Sequence, residues 1–472
     1  MNTKARSLIE NFSYAITANI ISLLISILVV LIVPKIIGVQ EYGYWQLYLF
    51  YASYVGFLQF GWNDGIYLRY GGEKYSHLDK KLFFSQFWTL VSSQIIFAGL
   101  IILLTFTFTN DINRKFVLFM VSFCTIILGT RAMLVFLLQA TNRIKEYSKI
   151  IMADRILYCC LVIAIVIMDI TDYKSLISAD LIGKFISLMI AMFFCKDIVF
   201  QKVNTLYFNF RETFENISAG IKLMFANIAS MLIIGVVRLG IERSWDISTF
   251  GKVSLTLNIS NFLMIFINAV GIILYPVLRR TNDKQLSNLY VTIRDSLMVI
   301  LLAILIIYYP LYSALSDWLP SYSESLRYMA FLLPMCVYEG KTALLTNTYL
   351  KTLRKEKAML RINIISLFMS VIITLFTTII FQDLNLSIFS IVFLLAVRSI
   401  LAELYLSKLL GIPIYKDILL ESLMTLCFIS TAWYINSWVT VILYVVAYLI
   451  YLTIKRKDIV NTTKSIRSLI KT

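Results

Sequence analysis

Apolar stretches of about 20 residues recur along the whole chain, separated by short polar segments. A helix needs about 20 apolar residues to cross the ~30 Å hydrocarbon core of a bilayer. The pattern therefore predicts an all-α polytopic membrane protein with about 14 transmembrane helices. The predicted spans are 12–33, 43–61, 83–107, 116–140, 150–168, 175–195, 217–240, 252–275, 296–315, 325–349, 362–381, 387–407, 418–435 and 439–454.

The composition agrees with this pattern. Hydrophobic residues make up 59% of the 472 residues and charged residues 15%, with a mean hydropathy of +0.81. A soluble domain of this size needs far more charge on its surface. The first apolar segment is too long for a signal-peptide core and is predicted to be a retained helix. The loops are short, which leaves no room for an outer catalytic domain.

The basic residues predict the orientation in the membrane. Outside the spans, 29 Lys and Arg residues fall on one face and six on the other. The positive-inside rule makes the crowded face cytoplasmic, with both termini on that side of the membrane. The formal charge of +16 therefore indicates topology and attraction to anionic membrane lipids, not nucleic-acid binding.

Metal and hydrolytic chemistry find little support in the sequence. All six cysteines lie in apolar segments without C-x-x-C spacing, and the one histidine, His77, lies in a polar loop. We therefore predict no catalytic residues, no metal site and no cofactor.

An internal repeat divides the chain. The stretch Ala18–Leu24 recurs as Ala226–Leu232, an offset of 208 residues that also matches Lys35 to Arg243. Because six spans separate the copies, both cross in the same direction, which predicts two six-helix lobes related by a parallel repeat. The expected boundaries are 1–200 for the first lobe, 201–411 for the second, and 412–472 for two additional helices with a basic tail.

Charged residues inside the spans are the candidate functional groups. Eight are basic and four, Asp154, Asp180, Glu339 and Glu403, are acidic, a difference of +4. A charge at the bilayer centre costs roughly 2.5–3.5 kcal/mol, so each needs a partner or a water-filled cavity. The basic residues are Arg131, Arg155, Lys184, Lys222, Arg238, Arg327, Lys341 and Arg398.

Position separates these basic residues into groups. Arg155, Lys222 and Arg327 lie near span ends, where long side chains can reach the interface. Lys184 and Asp180 are spaced i,i+4, which suits a structural pair as well as a functional one. The remaining deep cations are predicted to face a cavity.

The stretch "LLPMCVYEGKTALLTNTYL" places Glu339 and Lys341 on either side of Gly340, with Pro334 upstream. The two charges point in opposite directions on an ideal helix, so the stretch predicts an interrupted helix beside a binding cavity. The alternative is that each charge pairs with a different neighbouring helix.

The stretch "FGWNDGIYLRYGGE" closes the second span with four glycines and Asp64. Asp64 and Gly65 are candidate residues of a flexible cytoplasmic gate. An ordinary loop leaving the membrane is the other interpretation.

Several stretches resemble the polysaccharide transporter family of the multidrug/oligosaccharidyl-lipid/polysaccharide exporter superfamily, which includes O-antigen and capsular repeat-unit flippases. The resemblance rests on "PKIIGVQEYGYWQLY", "FGWNDGIYLRY", "GIKLMFANIASMLIIGVVRLGIERSWDISTFGKVSL" and "YPVLRR". It extends over roughly the first 408 residues and follows loose hydropathy and glycine patterns.

The resemblance implies a flippase that moves an oligosaccharide linked to undecaprenyl pyrophosphate by alternating access. It also implies coupling to H+ or Na+, and polysaccharide polymerase and chain-length machinery as partners. The pyrophosphate needs fixed positive charge, so Arg131, Lys184, Arg238, Lys341 and Arg398 are expected to line a cationic cavity. Asp180 and Glu339 are expected to act as their charge partners or as proton carriers.

Two other functions remain open. A multidrug or cation antiporter of the same superfamily would line its cavity with acidic residues. A membrane glycan polymerase would need a large outer loop, and the outer loops here have about a dozen residues or fewer by the same span assignment.

Overall fold

The computed structural model describes residues 3–202, 204, 206–207, 209–280 and 283–461. Within these residues the secondary structure is helical, with no strand. The chain divides into two compact units, Met1–Ile228 and Ala229–Thr472. This confirms the predicted all-α fold class.

The first unit is built from eight complete helices and the first half of a ninth. They are α1 Thr3–Ile36, α2 Val39–Ala52, α3 Trp62–Arg69, α4 Lys80–Phe108, α5 Ile112–Ala140, α6 Ile144–Ile167, α7 Tyr173–Phe194, α8 Lys196–Val199 and α9 Phe210–Ser244. The division between the units falls inside α9, after Ile228.

The second unit continues α9 and adds eleven helices. They are α10 Ile247–Arg280, α11 Asp283–Ile304, α12 Tyr308–Trp318, α13 Ser323–Leu326, α14 Met329–Leu332, α15 Met335–Lys341, α16 Asn347–Thr352, α17 Glu356–Leu375, α18 Leu384–Leu410, α19 Tyr415–Tyr434 and α20 Trp438–Ile454. The hairpin α19–α20 belongs to this unit.

Nine helical segments of the described chain are long and apolar enough to cross a membrane. They coincide with nine of the predicted spans. The other five predicted spans fall on helices with particular features: α2 and α20 are short, α14–α16 are broken, α19 carries charged residues, and α10 has side chains that are described only in part.

Side-chain caps explain where several helices begin. Asp79, Asp111, Asp172 and Asp383 each accept hydrogen bonds from backbone N–H groups in the first turn of α4, α5, α7 and α18. These N–H groups have no partner inside the helix, so a capping carboxylate stabilises the start. At the other end of α18, Gly411 takes a φ of 68°, a left-handed conformation that glycine adopts without strain.

In the first unit, α5 lies at the centre and packs against α2, α3, α4, α6 and α7. The C-terminal half of α5 contributes Met133, Leu134 and Leu138 to a buried apolar cluster that also contains Phe83 and Phe87 of α4. This packing fixes the positions of α3 and α5, the two helices that frame a cavity in this unit.

Candidate functional site

A cavity of about 440 Å³ lies within the first unit. This volume falls within the range of small-molecule sites in proteins. Its polar lining comes from α3, α5, α9 and the segment between α2 and α3: Ser53, Gln59, Asn63, Asp64, Arg131 and Asn227. Its apolar lining is Ala52, Val55, Gly56, Phe57, Leu128, Ala132, Val135, Phe136, Ile151 and Met224.

Asn63 gives this cavity a buried, unused acceptor. Its Nδ2 donates a hydrogen bond to Gln59 Oε1, but its Oδ1 is buried without a hydrogen-bond partner. A buried polar atom left unpaired costs about 1–3 kcal/mol. Because Asn63 lines the cavity, a ligand hydroxyl or N–H group donating to Oδ1 would remove this cost.

Asp64 adds a carboxylate to the same lining. It lies in the first turn of α3, after the second predicted span. Burial raises the pKa of the Asp64 carboxyl, and a hydrogen bond from its own backbone N–H offsets only part of this rise. The structure thus places Asp64 and its neighbour Gly65 in a short helix, and only Asp64 lines the cavity.

Arg131 is the cation of the lining. Its Nη1 donates to Asp154 Oδ2 at 2.7 Å and to Ser187 Oγ at 2.9 Å. Both bonds use Nη1, so Nε and Nη2 remain as donors. Asp154 balances the charge of Arg131. Because Asp64 adds a carboxylate, the lining has no surplus of positive charge.

Lys184 and Asp180 pair with each other on α7 and lie outside this lining. Asp180 Oδ2 also accepts a hydrogen bond from the hydroxyl of Tyr48 at 2.7 Å. Asp180 is buried and accepts from two donors, so its partners come from within the first unit.

In the second unit, the helix that carries Glu339 and Lys341 is interrupted. A π-helical turn, Thr342–Thr346, separates α15 from α16. The Thr346 hydroxyl donates to the Lys341 carbonyl, which lies five residues earlier. Turns of this kind are frequent at functional sites, and here one begins directly after Lys341.

Glu339 and Lys341 reach different partners. Arg398 Nη1 of α18 donates to Glu339 Oε2 at 3.0 Å. Lys341 Nζ donates to Glu403 Oε2 of α18 at 2.5 Å and to Glu421 Oε2 of α19 at 2.9 Å. Two ion pairs of opposite polarity therefore join α15 to α18.

Lys341 belongs to a closed ring of four buried charges, which we call the ionic ring: Arg294, Lys341, Glu403 and Glu421. Arg294 of α11 lies 2.5 Å from Glu403 Oε1 and 2.8 Å from Glu421 Oε1. All four side chains are at most 2% exposed. The ring contains two cations and two anions, so its net charge is zero.

The ionic ring continues toward the end of α20. Arg294 Nη1 lies 3.6 Å from Asp417 Oδ2, and Lys455 Nζ donates to Asp417 Oδ1 at 2.7 Å. Lys455 also pairs with Asp295 and with the exposed Asp458. Five helices are thus connected by one network of charges.

Arg238 of α9 lies elsewhere in the second unit. Its Nη2 donates to Ser254 Oγ at 3.0 Å, and its guanidinium lies 5.5 Å from the centre of the Phe250 ring. Of the five predicted cationic-cavity residues, only Arg131 lines the cavity of the first unit.

Several residues of these two sites are not among the predicted site residues, and they include Arg294, Glu421, Gln59 and Asn63. Arg294 lies just before a predicted span, where it counts as a loop residue. Glu421 lies within the span 418–435 as a fifth acidic residue, which lowers the excess of positive charge among the spans from +4 to +3. Gln59 and Asn63 are uncharged, and their polar character at the end of a span was the only available signal.

Among the described residues, no group of three or more His, Cys, Asp or Glu side chains is arranged to hold a metal ion.

No protein-family model and no curated protein matches this chain. Several solved structures share its fold. The lipid II flippase MurJ, in an inward closed conformation, has a TM-score of 0.65 at 13% identity, covering 96% of this chain and 100% of that chain. A multidrug resistance MATE family transporter of the MOP superfamily, in an inward-facing conformation, has a TM-score of 0.62 at 12% identity, covering 83% and 98%.

A third structure, MATE in complex with MaL6, has a TM-score of 0.55 at 11% identity, covering 83% of this chain and 94% of that chain. Identities this low establish likeness of fold only. The chain therefore has the polytopic, all-α fold of MOP superfamily transporters.

Proposed function

We propose that the protein is a flippase that moves a lipid-linked oligosaccharide across the bacterial cytoplasmic membrane by alternating access, and not an enzyme. The proposed substrate carries its repeat unit on undecaprenyl pyrophosphate and supplies surface polysaccharide synthesis. The shared fold supports transport, and the sequence resemblance to O-antigen and capsular-unit flippases supports this substrate class.

The cavity of the first unit is the observation that carries the proposal. Its lining combines amides, a hydroxyl, one carboxylate and one guanidinium with two aromatic rings, Phe57 and Phe136. A sugar presents hydroxyl groups around its edge and C–H groups on its faces. Planar polar side chains suit the hydroxyl groups, and aromatic rings suit the faces.

The charges of the lining favour binding of the saccharide part of the substrate there, and not of its pyrophosphate. Arg131 is balanced by Asp154, and Asp64 adds negative charge. A pyrophosphate would be repelled by Asp64, whereas sugar hydroxyls can donate to it. Among the predicted cations, we retain Arg131 as the residue that contacts the substrate.

The proposal is tested by reconstituting the purified protein in liposomes with an undecaprenyl-pyrophosphate-linked oligosaccharide. The measured quantity is the rate at which the lipid-linked oligosaccharide moves from one leaflet of the bilayer to the other. The variant Asn63→Ala should lower the rate at sub-saturating substrate about tenfold, because one buried hydrogen bond to the ligand is worth about 1.4 kcal/mol. Asn227→Ala should act in the same direction. The exposed amide of Asn288 lies on α11, so Asn288→Ala is the matched control and should leave the rate unchanged.

A second function, export of cationic drugs, is favoured by one observation: the Asp64 carboxylate lines the cavity. The same vesicles should be assayed with a cationic dye and the variant Asp64→Asn. Dye transport that Asp64→Asn abolishes, together with no movement of the oligosaccharide by the wild-type protein, would replace the flippase proposal with the antiporter.

A further inference from the structure

Two helices that contact each other directly contribute to the cavity lining. Asn63 and Asp64 come from α3, and Met224 and Asn227 come from the first half of α9. We call these two segments, Trp62–Arg69 and residues 210–228, the floor pair. Their separation sets the distance between the polar groups that each segment contributes to the lining.

Glycines bring the backbones of the floor pair into contact. A Cβ atom on Gly65 would overlap the backbone of Asn216, and one on Gly220 would overlap the backbone of Gly61. Such close approach is possible only because these positions lack side chains. The contact lies directly beside Asp64, whose carbonyl carbon also approaches Gly220.

Arg69 holds the floor pair together at the end of α3. Its Nη1 donates to Glu212 Oε1 at 2.6 Å and to Asn216 Oδ1 at 2.5 Å, and its Nη2 donates to Glu215 Oε2 at 2.9 Å. The neighbouring Tyr70 hydroxyl donates to Glu212 at 2.7 Å. Three acceptors on one face of α9 therefore converge on a single guanidinium.

The surroundings of Arg69 keep its guanidinium charged over the physiological pH range. Partial desolvation lowers the pKa of Arg69, but the hydrogen bond and charge of Glu212, with smaller effects from Tyr70 and Glu215, outweigh it and raise the pKa overall. Burial and the hydrogen bond to Glu212 raise the pKa of Tyr70, so its hydroxyl remains a donor.

We propose that Arg69 is a positioning residue for saccharide binding: by joining α3 to α9, it fixes the spacing in the cavity lining between Asn63 and Asp64 of α3 and Asn227 of α9. The inference rests on the proposed function. Arg69 itself does not line the cavity. A ligand that bridges the floor pair binds well only when the spacing is already set, because ordering the pair upon binding costs free energy.

The test uses Arg69→Met, which keeps much of the aliphatic side chain and removes the hydrogen bonds to Glu212, Asn216 and Glu215. In the reconstituted transport assay, we expect the apparent KM for the lipid-linked oligosaccharide to rise about tenfold with the maximal rate within about twofold of wild type. Arg211→Met is the matched control, since Arg211 pairs with the same Glu215 from α9 but has a side chain that is 91% exposed. It should leave both parameters unchanged.

Hydrogen–deuterium exchange of segments 62–70 and 210–222 supplies a second readout. Faster exchange of both segments in Arg69→Met, but not in Arg211→Met, together with the raised KM, supports the positioning role. Faster exchange with an unchanged KM would show that Arg69 only stabilises the fold. Unchanged exchange would overturn the proposal by showing that Arg69 does not hold the floor pair.

The two proposals fail in different ways. If the wild-type protein moves no lipid-linked oligosaccharide, the proposed function fails, and the positioning role in saccharide binding fails with it. The exchange measurement still decides whether Arg69 joins α3 to α9. If the wild-type protein is active and only the KM effect is missing, the proposed function stands and the inference about Arg69 does not.

Discussion

At the scale of single residues, the deep charges of the described chain occur mostly in matched pairs. Arg131 meets Asp154, Lys184 meets Asp180, and Arg398 meets Glu339. The ionic ring matches two cations with two anions. A charge moved out of water is costly unless an opposite charge and hydrogen bonds replace the lost hydration. Pairing therefore explains why a membrane-embedded chain retains Lys341 at full burial.

In the ionic ring, removing one charge should destabilise the protein more than removing one cation together with one anion. In Lys341→Met, Glu403 and Glu421 remain buried and share only Arg294. We expect a loss of about 3–5 kcal/mol in unfolding free energy, the usual effect of leaving a buried charge uncompensated. Thermal unfolding in detergent should show a clear fall in midpoint, whereas Lys357→Met at an exposed position should leave the midpoint nearly unchanged.

The double variant Lys341→Met with Glu403→Gln restores the balance of charge, because Arg294 and Glu421 then remain as a pair. It should unfold at a higher temperature than Lys341→Met alone. An equal or lower midpoint for the double variant would contradict the view that charge balance, and not packing, explains the role of Lys341.

At the scale of elements, the contact between α3 and α9 depends on glycine. Helices normally pack at 8–10 Å because side chains separate them. Here Gly61, which immediately precedes α3, and Gly65 of α3 meet Gly220 and Asn216 on α9, with backbone against backbone. From sequence, the stretch with Asp64 and Gly65 is interpreted as a flexible gate or an ordinary loop, since four glycines in a short stretch favour turns. In the structure, Gly65 lies against the backbone of Asn216.

The requirement for glycine can be tested at one position. In Gly220→Ala, the new methyl group must displace the backbone of Gly61, so we expect a loss of about 1–3 kcal/mol in unfolding free energy. Gly99→Ala on α4 is the control, because nothing lies within 4 Å of the position of its Cβ. It should be neutral or stabilise by about 0.5–1 kcal/mol. Thermal unfolding that ranks the two variants in the opposite order would exclude the backbone contact.

The sequence predicts those features that depend on local composition. Hydropathy places the spans because a membrane crossing needs a fixed length of apolar helix. The spacing of Asp180 and Lys184 predicts their pairing, since residues four apart share a helix face. The ionic ring could not be predicted, because Arg294, Glu403 and Glu421 come from three helices whose adjacency no local pattern encodes. The cavity was unpredictable for the same reason.

At the scale of the whole molecule, the C-terminal hairpin is an integral part of the second unit. Glu421 and Asp417 of α19 and Lys455 after α20 take part in the network around Arg294. At the opposite end of α19, Arg327 Nη2 donates to the Trp433 carbonyl at 2.6 Å, and its guanidinium lies 4.8 Å from the centre of the Trp433 ring. The hairpin is thus held at both ends within the second unit.

The proposed orientation follows from the charges outside the spans. With 29 basic residues on one face and six on the other, we expect both termini and the segment between α16 and α17 to be cytoplasmic, and the α4–α5 connection to be external.

A fluorescent protein that matures only in the cytoplasm should be bright when inserted after Arg354 or fused to the C-terminus. Alkaline phosphatase, which is active only outside, should be active when inserted after Thr109. Exchanging the two reporters at each position is the control and should silence both. The reverse pattern would place the basic face outside and contradict the predicted orientation.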